Sequence, residues 1–247
     1  MPNLQACVLA AGKGTRMGGD RPKVLFEANG KPLLEWVLSA LSDAGVDDCV
    51  AVVGYRKEDV QAALPTGVRW VEQSPQLGTG HAVRCARVAF PETAGDLIVT
   101  CGDMPLVAAE TYRKLVSLRR STDADVVILT VKIPADSRFG RIVRGPDGDV
   151  RCIVEYRDAS EEERALNEGN AAVYCFKPSA LWPALDEIRS DNAQGEYYLT
   201  DVVEIFLGKG GRVVAHLSDV KGEELGVNTP EDLEAAGKAL AERTNRL

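Results

Sequence analysis

The segment Leu9-Ala10-Ala11-Gly12-Lys13-Gly14-Thr15-Arg16-Met17, closed by Pro22-Lys23-Val24-Leu25, decides the fold of this chain. It follows the apolar run Leu4–Leu9, which predicts a buried strand, and it precedes a helical pattern over Pro32–Ala44. A glycine-rich loop between a strand and a helix lets backbone N–H groups approach a phosphate closely. The loop also carries three cations, Lys13, Arg16 and Lys23. We therefore expect a polyphosphate site, for a nucleoside triphosphate.

The spacing of the glycines separates this loop from two better known phosphate loops. A dinucleotide-binding fingerprint reads G-x-G-x-x-G, but the glycines here are Gly12, Gly14 and Gly18, so the third comes one residue late. No G-x-x-x-x-G-K-[ST] pattern is present, and the second predicted strand, Val50–Gly54, does not end in an acid that could hold a ribose. The glycines alone are also consistent with an ordinary strand–helix turn, and this alternative stays open.

Length, composition and charge limit the classes of protein to which the chain can belong. A chain of 247 residues with 45% hydrophobic content suits one large α/β domain, and a net charge of -8 argues against a nucleic-acid partner. The six cysteines form no C-x-x-C pair, which favours reduced core thiols. We find no secretory leader and no apolar run near the roughly 20 residues of a membrane span. We expect a cytoplasmic protein without a membrane partner.

Strand-like and helix-like segments alternate along the first half, which predicts βαβ units and a parallel sheet. The predicted strands are Leu4–Leu9, Cys49–Val53, Val68–Val71, Leu97–Thr100, Val126–Val131, Arg141–Arg144, Val150–Glu155 and Ala171–Phe176. The predicted helices are Pro32–Ala44, Lys57–Leu64, His81–Ala89 and Ala235–Arg243. The turn Gly145-Pro146-Asp147-Gly148 indicates a hairpin. We expect the second half to be a mixed sheet laid over the first half.

Two helix starts can be located from side chains that cap backbone N–H groups. Ser160-Glu161-Glu162-Glu163 has the pattern of a capping box. Thr229-Pro230-Glu231-Asp232 combines a capping residue, a proline at the first helical position and acids in the first turn. The second cap fixes the backbone just after Asn228.

The second motif is Gln73-Ser74-Pro75-Gln76-Leu77-Gly78-Thr79-Gly80-His81-Ala82, which follows the third strand and opens a helix. The amide of Gln73 both donates and accepts hydrogen bonds, so it can read the edge of a pyrimidine. Gly78, Thr79 and Gly80 could let the backbone meet a base. A capped helix start with a glycine turn is the alternative that stays open.

The third motif is Cys101-Gly102-Asp103-Met104-Pro105-Leu106, directly after the fourth predicted strand. The carboxyl end of a central parallel strand is where α/β sheets bind ligands. The carboxylate of Asp103 could there hold Mg²⁺, which takes one or two protein ligands together with phosphate oxygens.

The fourth group of residues is spread over the second half of the chain. Hydrogen-bonding side chains and aromatic rings recur there, in a composition that suits a sugar. The segments are Phe139-Gly140-Arg141, Ile153-Val154-Glu155, Glu168-Gly169-Asn170 and Gln194-Gly195-Glu196-Tyr197-Tyr198-Leu199-Thr200-Asp201.

Taken in order, these motifs resemble the sugar-phosphate nucleotidyltransferase (pyrophosphorylase) superfamily. The chain is most similar to the uridyltransferase domain of the bifunctional N-acetylglucosamine-1-phosphate uridyltransferases, from about residue 4 to residue 228. The shared motifs are L-A-A-G-K-G-T-R-M, P-K-V-L, Q-L-G-T-G-H-A, G-D-x-P-L, F-G-R-I, I-V-E, N-A-Q-G-E-Y-Y-L-T-D and G-V-N-T. The resemblance implies a Rossmann-like three-layer α/β/α fold with a mostly parallel central mixed sheet.

The resemblance also implies a role for each part of the chain. It would be a single domain, 1–247, with a nucleotide-binding half (1–125), a sugar-binding half (126–228) and a C-terminal helix (229–247). The nucleotide would contact Leu9, Ala10, Ala11, Gly12, Lys13, Gly14, Gln73, Gly78, Thr79 and Gly102. The catalytic residues would be Arg16, Lys23 and Asp103, and Mg²⁺ would be held by Asp103 and Asn228. The sugar would contact Gly140, Glu155, Asn170, Tyr198 and Thr200.

The implied reaction joins UTP and a sugar 1-phosphate, favouring N-acetylglucosamine 1-phosphate, with release of pyrophosphate. The sugar phosphate oxygen would attack the α-phosphorus in line with the leaving group, and charge neutralisation would carry most of the catalysis. Mg²⁺ would bridge the phosphates of the two substrates. Lys13 and Arg16 would screen the β- and γ-phosphates, and Lys23 would meet the charge at the α-phosphate.

The chain departs from the family pattern in three places. It has Cys101 where the family has tyrosine, and Asn170-Ala171-Ala172 where the family has N-T-G. It also ends where the bifunctional enzymes continue into a β-helix, so we expect no acetyltransfer. Other substrate pairs stay open: a hexose 1-phosphate with UTP or dTTP, or a cytidylyl or molybdopterin guanylyl transfer. A non-catalytic nucleotide-sugar-binding protein is the more distant alternative.

Overall fold

The apolar run before the glycine-rich loop is an interior strand of the main sheet in the computed structural model, which describes residues 3–18, 20–90 and 95–244. The strands are β1 (Leu4–Ala10), β2 (Glu27–Ala28), β3 (Lys31–Pro32), β4 (Asp48–Val53), β5 (Arg69–Glu72), β6 (Asp96–Cys101), β7 (Val126–Lys132), β8 (Arg141–Arg144), β9 (Val150–Val154), β10 (Glu168–Phe176) and β11 (Val213–Leu217). The α-helices are α1 (Leu33–Asp43), α2 (Lys57–Ala63), α3 (Thr79–Ala86), α4 (Ala109–Thr122), α5 (Glu161–Arg164), α6 (Pro178–Leu185), α7 (Val202–Gly208) and α8 (Pro230–Thr244).

The main sheet is mostly parallel. Its strand order is β11-β7-β10-β6-β1-β4-β5, and within this order only β10 runs antiparallel to its neighbours among the residues described. The hairpin β8–β9 is attached to β10 through β8. β1 is almost continuously buried because helices cover both faces of a parallel sheet.

Helices cover the two faces of the sheet in separate sets. One hydrophobic cluster joins α1, α2 and α4 to side chains such as Val8 and Ile98. The other joins α3, α6 and α7 to side chains such as Cys7 and Val99. Neighbouring residues of one strand thus point into opposite layers, as the two-residue period of a strand requires. The predicted three-layer α/β/α fold with a mostly parallel central sheet is confirmed.

The predicted strands and helices are confirmed, with bounds that differ by a few residues. The strand predicted over Ala171–Phe176 begins earlier, at Glu168, and the helix predicted over His81–Ala89 begins at Thr79 and ends in a 3₁₀ turn. The C-terminal helix is α8, and the last three residues of its predicted range, 245–247, lie outside the described residues. Within the described residues, no helix is both long and apolar enough to cross a membrane.

The mixed pattern of the second half of the chain led us to expect that it lies over the first half. This prediction is wrong. β10 pairs edge to edge with β6, so the second half extends the same sheet. β7 and β11 then continue it on the far side of β10. Edge pairing satisfies the backbone groups of β6 that a stacked sheet would have left without partners.

Both predicted helix caps are present. Ser160 Oγ accepts a hydrogen bond from Glu163 N at 3.2 Å, and a Glu163 carboxylate oxygen accepts one from Ser160 N at 2.8 Å. At α8, Thr229 Oγ1 accepts from Asp232 N at 3.2 Å. The Asp232 carboxylate in turn accepts from the backbone N–H groups of Asn228 and Thr229, at 2.9 Å each.

An irregularity of β10 holds an alanine in a left-handed conformation. Ala172 has φ +53°, and the register of β10 against β7 shifts between Asn170 and Tyr174. A left-handed conformation costs an alanine about 1–2 kcal/mol, whereas glycine adopts it freely. Ala172→Gly should therefore raise the free energy of unfolding by about 0.5–1 kcal/mol, after the greater freedom of glycine in the unfolded chain is subtracted.

Urea-induced unfolding without ligand measures this effect. Ala171→Gly is the matched control, because Ala171 is fully buried and is absent from the positive-φ residues, so its substitution should destabilise the protein. Equal destabilisation by the two substitutions would contradict the prediction.

Candidate functional site

The candidate site lies where the carboxyl ends of three parallel strands meet. In the sheet register, Ala10 of β1 is opposite Val53 of β4, and Leu9 is opposite Cys101 of β6. The chain segments that leave these ends enclose a cavity of about 420 Å³. It is lined by Leu9, Ala11, Gly12, Lys23, Val24, Gln73, Gln76, Gly78, Thr79, Ala82, Cys101, Asp103 and Glu196.

The glycine-rich loop packs closely on the lysine that follows it. Gly14 has φ +66°, and a Cβ at this position would lie 2.6 Å from Lys23 Cβ. Glycine is therefore required both by the backbone conformation and by the close approach. The loop and the 3₁₀ turn Lys23–Leu25 are thereby held side by side at the cavity. Of the predicted loop contacts, Leu9, Ala11 and Gly12 line the cavity, whereas Ala10 faces the core, and Lys13 and Gly14 are not among the lining residues.

Four predicted residues from three distant segments meet at the rim of the cavity. Lys23 Nζ donates to a carboxylate oxygen of Asp103 and, at 3.1 Å, to Asn228 Oδ1. A guanidinium N–H of Arg16 donates to the same Asn228 oxygen at 3.0 Å. The side chains of Lys23 and Asp103 are each 16% exposed. Two oxygen ligands and two cations are therefore concentrated in one partly buried place.

The backbone after β6 and the cap of α8 orient Asn228. Val227 N donates to Asp103 O at 3.0 Å, which ties the two chain segments together. Asn228 Nδ2 donates to Gly226 O at 3.3 Å, so the amide oxygen faces Lys23 and Arg16. The predicted cap of α8 thus helps to present an oxygen ligand. Gly102 lies behind the cavity wall, where its N–H donates to Leu9 O at 2.9 Å.

Lys13 is not part of this group. Its ammonium lies over the ring of Tyr55, 5.3 Å from the centroid. Tyr55 donates through its hydroxyl to Asp20 Oδ1 at 2.5 Å, and Arg56 also pairs with Asp20, at 3.1 Å. These contacts hold the far end of the glycine-rich loop against the segment that follows β4.

Gln73 is nearly buried, with 5% of its surface exposed, and it lies on the cavity wall. Its backbone N–H donates to Val53 O at 2.8 Å, which fixes the residue at the end of β5. Its Nε2 donates to Gly78 O at 2.9 Å and lies 3.1 Å from His81 Nδ1. The structure thus places a fixed amide where the sequence predicts contact with a base.

The glycines of the second motif are required by a neighbouring segment. A Cβ on Gly78 would lie 2.6 Å from Tyr197 O, and a Cβ on Gly80 would lie 2.4 Å from Ile188 Cδ1. Gly80 N donates to Tyr197 O at 2.8 Å, and Thr79 Oγ1 accepts from Leu199 N at 3.0 Å. Gly78 and Thr79 line the cavity, and these contacts join its base side to the segment that carries Tyr198 and Thr200.

Four of the predicted sugar contacts are brought together. Thr200 Oγ1 donates to Glu155 Oε1 at 3.1 Å, and Asn170 N donates to Gly140 O at 2.9 Å. A Cβ on Gly140 would lie 3.5 Å from Glu155 Oε2, so glycine leaves room beside this carboxylate. Burial raises the pKa of Glu155, and the carboxylates of Asp201, Asp158 and Glu196 raise it further, while the bond from Thr200 lowers it.

Two predicted sugar contacts already have protein partners. Asn170 Nδ2 donates to the Tyr174 hydroxyl at 2.7 Å, and Asn170 Oδ1 accepts from Ala172 N at 3.1 Å. The Tyr198 hydroxyl donates to Asp158 Oδ2 at 3.1 Å and accepts from Gln194 Nε2 at 2.8 Å. In this arrangement both side chains are hydrogen-bonded within the protein, and neither lines the cavity.

Cys101 lies near residues of two predicted groups, Asp103 and Glu155. It lines the cavity, and burial raises the pKa of its thiol. The carboxylates of Asp103 and Glu155 raise this pKa further. The thiol therefore stays neutral at pH 7. Ala171, the second departure from the family pattern, is fully buried.

Gln76 and Glu196 line the cavity but were not among the predicted contacts. Gln76 Nε2 donates to Ala11 O, which links the second motif to the glycine-rich loop. Glu196 reaches the cavity because its segment packs on Gly78. Both residues lie inside motifs that the sequence analysis quoted, and their position in those motifs is the signal that could have identified them as cavity residues.

A half-buried carboxylate next to the sugar side should make stability depend on pH. Burial, together with the carboxylates of Glu204 and Asp158, raises the pKa of Asp201 from 3.8 to about 6. The folded state therefore binds more protons than the unfolded state between about pH 4 and pH 6, and stability is lost as the pH rises through this window. Asp201→Asn should raise the free energy of unfolding by about 1–2 kcal/mol at pH 7.5, with the gain shrinking toward pH 4.

Thermal unfolding at pH 7.5 and pH 4.5 measures this prediction. Asp191→Asn is the control, because Asp191 is an exposed aspartate. A gain for Asp201→Asn that is the same at both pH values would show that the cause is not titration.

Comparison with known proteins identifies the family of the chain. The family model described as "MobA-like NTP transferase domain" matches residues 6–203. The chain is 41% identical over 240 residues to "Bifunctional protein GlmU" of Shouchella clausii (strain KSM-K16), covering 97% of this chain and 53% of that protein. It is 44% identical over 246 residues to the protein of the same name from Heliobacterium modesticaldum (strain ATCC 51547 / Ice1), covering 100% and 54%. The chain thus spans about half the length of the curated relatives it matches.

Solved structures share the fold. The chain superposes with a TM-score of 0.81 on a UDP-glucose pyrophosphorylase complexed with UDP-glucose, at 18% identity, covering 98% of this chain and 100% of that one. An apo structure of UDP-glucose pyrophosphorylase also gives a TM-score of 0.81, at 18% identity and with 98% and 99% coverage.

Proposed function

The chain belongs to the MobA-like NTP transferase family, and we propose that it is a magnesium-dependent nucleotidyltransferase that makes UDP-N-acetylglucosamine and pyrophosphate from UTP and N-acetylglucosamine 1-phosphate. One observation carries the proposal. Lys23, Asp103 and Asn228 converge, with Arg16, at the rim of a cavity that also contains the glycine-rich loop and Gln73. Groups that can neutralise charge thus lie next to a cavity with a fixed amide, and this amide would contact the base.

The oxygen atoms at the rim fit magnesium. Asp103 and Asn228 each accept a hydrogen bond from the single ammonium of Lys23, so both oxygens already face one cation. A carboxylate and an amide oxygen are ligands that Mg²⁺ accepts, and it completes its shell with phosphates and water. In the part of the chain that the structure describes, no group of three or more His, Cys, Asp and Glu side chains could hold a metal. A bound magnesium ion would supply charge neutralisation for the phosphates of both substrates.

The chain's own residues would position the substrates and neutralise charge. In the proposed step an oxygen of the sugar phosphate forms a bond to the α-phosphorus, and the bond from that phosphorus to the bridging oxygen of pyrophosphate breaks. Lys23 would face the α-phosphate, and Arg16 would screen the β- and γ-phosphates. Lys13 would join Arg16 after leaving the ring of Tyr55. Positioning and electrostatic stabilisation carry such a step without a covalent enzyme intermediate.

The sugar would lie beyond Cys101, against residues next to the cavity that are not among those lining it. Glu155 and Thr200 are joined there, and the absence of a side chain on Gly140 leaves space beside the Glu155 carboxylate. A carboxylate can accept two sugar hydroxyl or amide donors at once. Glu155 is therefore the side chain that we assign to the sugar.

Glu155→Ala should weaken binding of the sugar phosphate and spare UTP. We expect KM for N-acetylglucosamine 1-phosphate to rise at least tenfold, since a charge-assisted hydrogen bond contributes about 1.5–3 kcal/mol. KM for UTP should change less than twofold. Steady-state kinetics with each substrate varied in turn measures both. If the affinity for UTP fell instead, the division of the cavity into two sides would be wrong.

A pyrophosphate-release assay with Mg²⁺ tests the proposed reaction. It crosses UTP, dTTP, CTP and GTP with N-acetylglucosamine 1-phosphate, glucose 1-phosphate and galactose 1-phosphate. The proposal expects the highest kcat/KM with UTP and N-acetylglucosamine 1-phosphate, and it expects chelation of Mg²⁺ to stop release. Release with a different pair only would keep the mechanism and change the substrate.

A different sugar 1-phosphate is the second candidate, and one observation favours it. Ala171 and Ala172 stand beside Asn170 where the resembling family has threonine and glycine, and Ala172 keeps the left-handed conformation that suits glycine. The backbone path is retained while a hydroxyl is absent on the sugar side. Tight binding of a nucleotide sugar without any pyrophosphate release would instead favour a non-catalytic protein.

A further inference from the structure

The orientation of the Gln73 amide is fixed by two acceptors. Its Nε2 donates to Gly78 O at 2.9 Å, and the same nitrogen lies 3.1 Å from His81 Nδ1. An amide nitrogen carries two hydrogens, so these two contacts use both. The reversed orientation would set the amide oxygen against the Gly78 carbonyl oxygen, which repels it.

His81 can accept from Gln73 in one tautomer only. Nδ1 must carry the lone pair, so the proton of the neutral ring is on Nε2, which lies 3.7 Å from Cys85 Sγ. Burial lowers the pKa of His81, and Arg84 lowers it further, so the ring is neutral at pH 7. The ring of Tyr197 lies beside that of His81, with the two centroids 6.5 Å apart.

The remaining polar atom of the amide is Gln73 Oε1. It accepts no hydrogen bond from the residues of the described ranges, although the side chain lines the cavity and is 5% exposed. A ligand in the cavity can therefore donate a hydrogen bond to this acceptor. The cavity therefore presents an acceptor at Gln73 and withholds both amide hydrogens.

We propose that His81 is a positioning residue that determines base specificity: its Nδ1 lone pair holds Gln73 with Oε1 as the acceptor for the base, so that the site takes a pyrimidine with an N3–H group and rejects cytosine. The inference rests on the proposed function in one respect, that the cavity takes a nucleoside triphosphate. Uracil and thymine carry a hydrogen on N3. Cytosine carries a lone pair there, which would face Gln73 Oε1.

Binding calorimetry with UTP and with CTP, in Mg²⁺, tests the proposal without requiring turnover. Wild-type protein should bind UTP at least tenfold more tightly than CTP. In His81→Phe a ring remains but the second acceptor is lost, so Gly78 O alone holds the amide. The amide can then turn and present an N–H to cytosine N3. The ratio of the two Kd values should then fall at least fivefold.

Two variants serve as matched controls. His81→Asn puts an amide oxygen where Nδ1 lies, so it should restore the wild-type ratio. Cys85→Ala removes the neighbour of the other ring nitrogen and should keep the ratio. His81→Leu also lacks the acceptor and replaces His81→Phe if that variant does not fold, as judged by thermal unfolding.

The outcomes separate this inference from the proposed function. An unchanged ratio in His81→Phe, or equal binding of UTP and CTP by the wild type, overturns the role of His81. Selective UTP binding without pyrophosphate release from any substrate pair overturns the proposed catalysis and leaves the role of His81 supported. No binding of either nucleotide overturns both.

Discussion

Replacing Asp103 with asparagine is expected to lower kcat for pyrophosphate release by about 10³-fold, which corresponds to about 4 kcal/mol of activation free energy. Asp103 is the one carboxylate of the rim group and it receives the Lys23 ammonium. The substitution keeps the shape of the side chain but removes the charge that would hold magnesium beside the phosphates. Initial rates at saturating substrates, measured over a range of Mg²⁺ concentrations, give the effect.

Glu234→Gln is the matched control for Asp103→Asn. Glu234 lies on α8, is 69% exposed and pairs with Lys238 at 2.5 Å, so loss of its charge should leave kcat within twofold. Unchanged circular dichroism and thermal unfolding would show that Asp103→Asn folds. Near-normal activity of a folded Asp103→Asn protein would remove Asp103 from the metal site.

Replacing Lys23 with methionine is expected to lower kcat by 10²-fold or more, the scale of one preorganised charge contact that acts in the transition state. Lys23 is held by two oxygens and by close packing of Gly14, so its ammonium is fixed before the substrates arrive. Methionine retains the length of the side chain and removes the charge. Steady-state kinetics with each substrate varied separates kcat from KM.

Lys238→Met, the other member of the same surface pair, is the control for Lys23→Met. It should leave both kinetic constants within twofold. A rise in KM for UTP with an unchanged kcat would make Lys23 a binding residue, because such a change removes ground-state and transition-state binding equally.

Most of the sheet could be predicted because its strands are buried on both faces. β1, β4, β6 and β7 are short apolar runs, and such runs stand out between polar helix segments. β11 was not predicted, and its residues are only partly buried at the edge of the sheet. The helices α4, α6 and α7 were also not predicted. Each of them depends on packing against one face of the sheet, a contact that is long-range in sequence.

The nucleotide side of the candidate site was the more predictable part. Lys23, Gln73 and Asp103 follow strand ends in the sequence, and the carboxyl ends of parallel strands converge at one edge. The sugar side was less predictable because its side chains come from an antiparallel strand, a hairpin and a 3₁₀ turn. Their neighbours are set by tertiary pairing, so the protein partners of Asn170 and Tyr198 could not be predicted from the sequence.

The sequence by itself determined the fold class, the family and the chemical types present at the site, because apolar periodicity and ordered motifs are local properties of the chain. The tertiary structure alone decided how those groups face one another. It joined Asn228 to Lys23 across 205 positions, placed Lys13 on Tyr55, and turned both amide hydrogens of Gln73 away from the cavity. The contacts of Asn228 and Lys13 join segments whose approach depends on the pairing of strands, and periodicity carries no information on that approach. The contacts of Gln73 lie within eight residues along the chain, but they depend on the path of the turn into α3, which periodicity does not describe either.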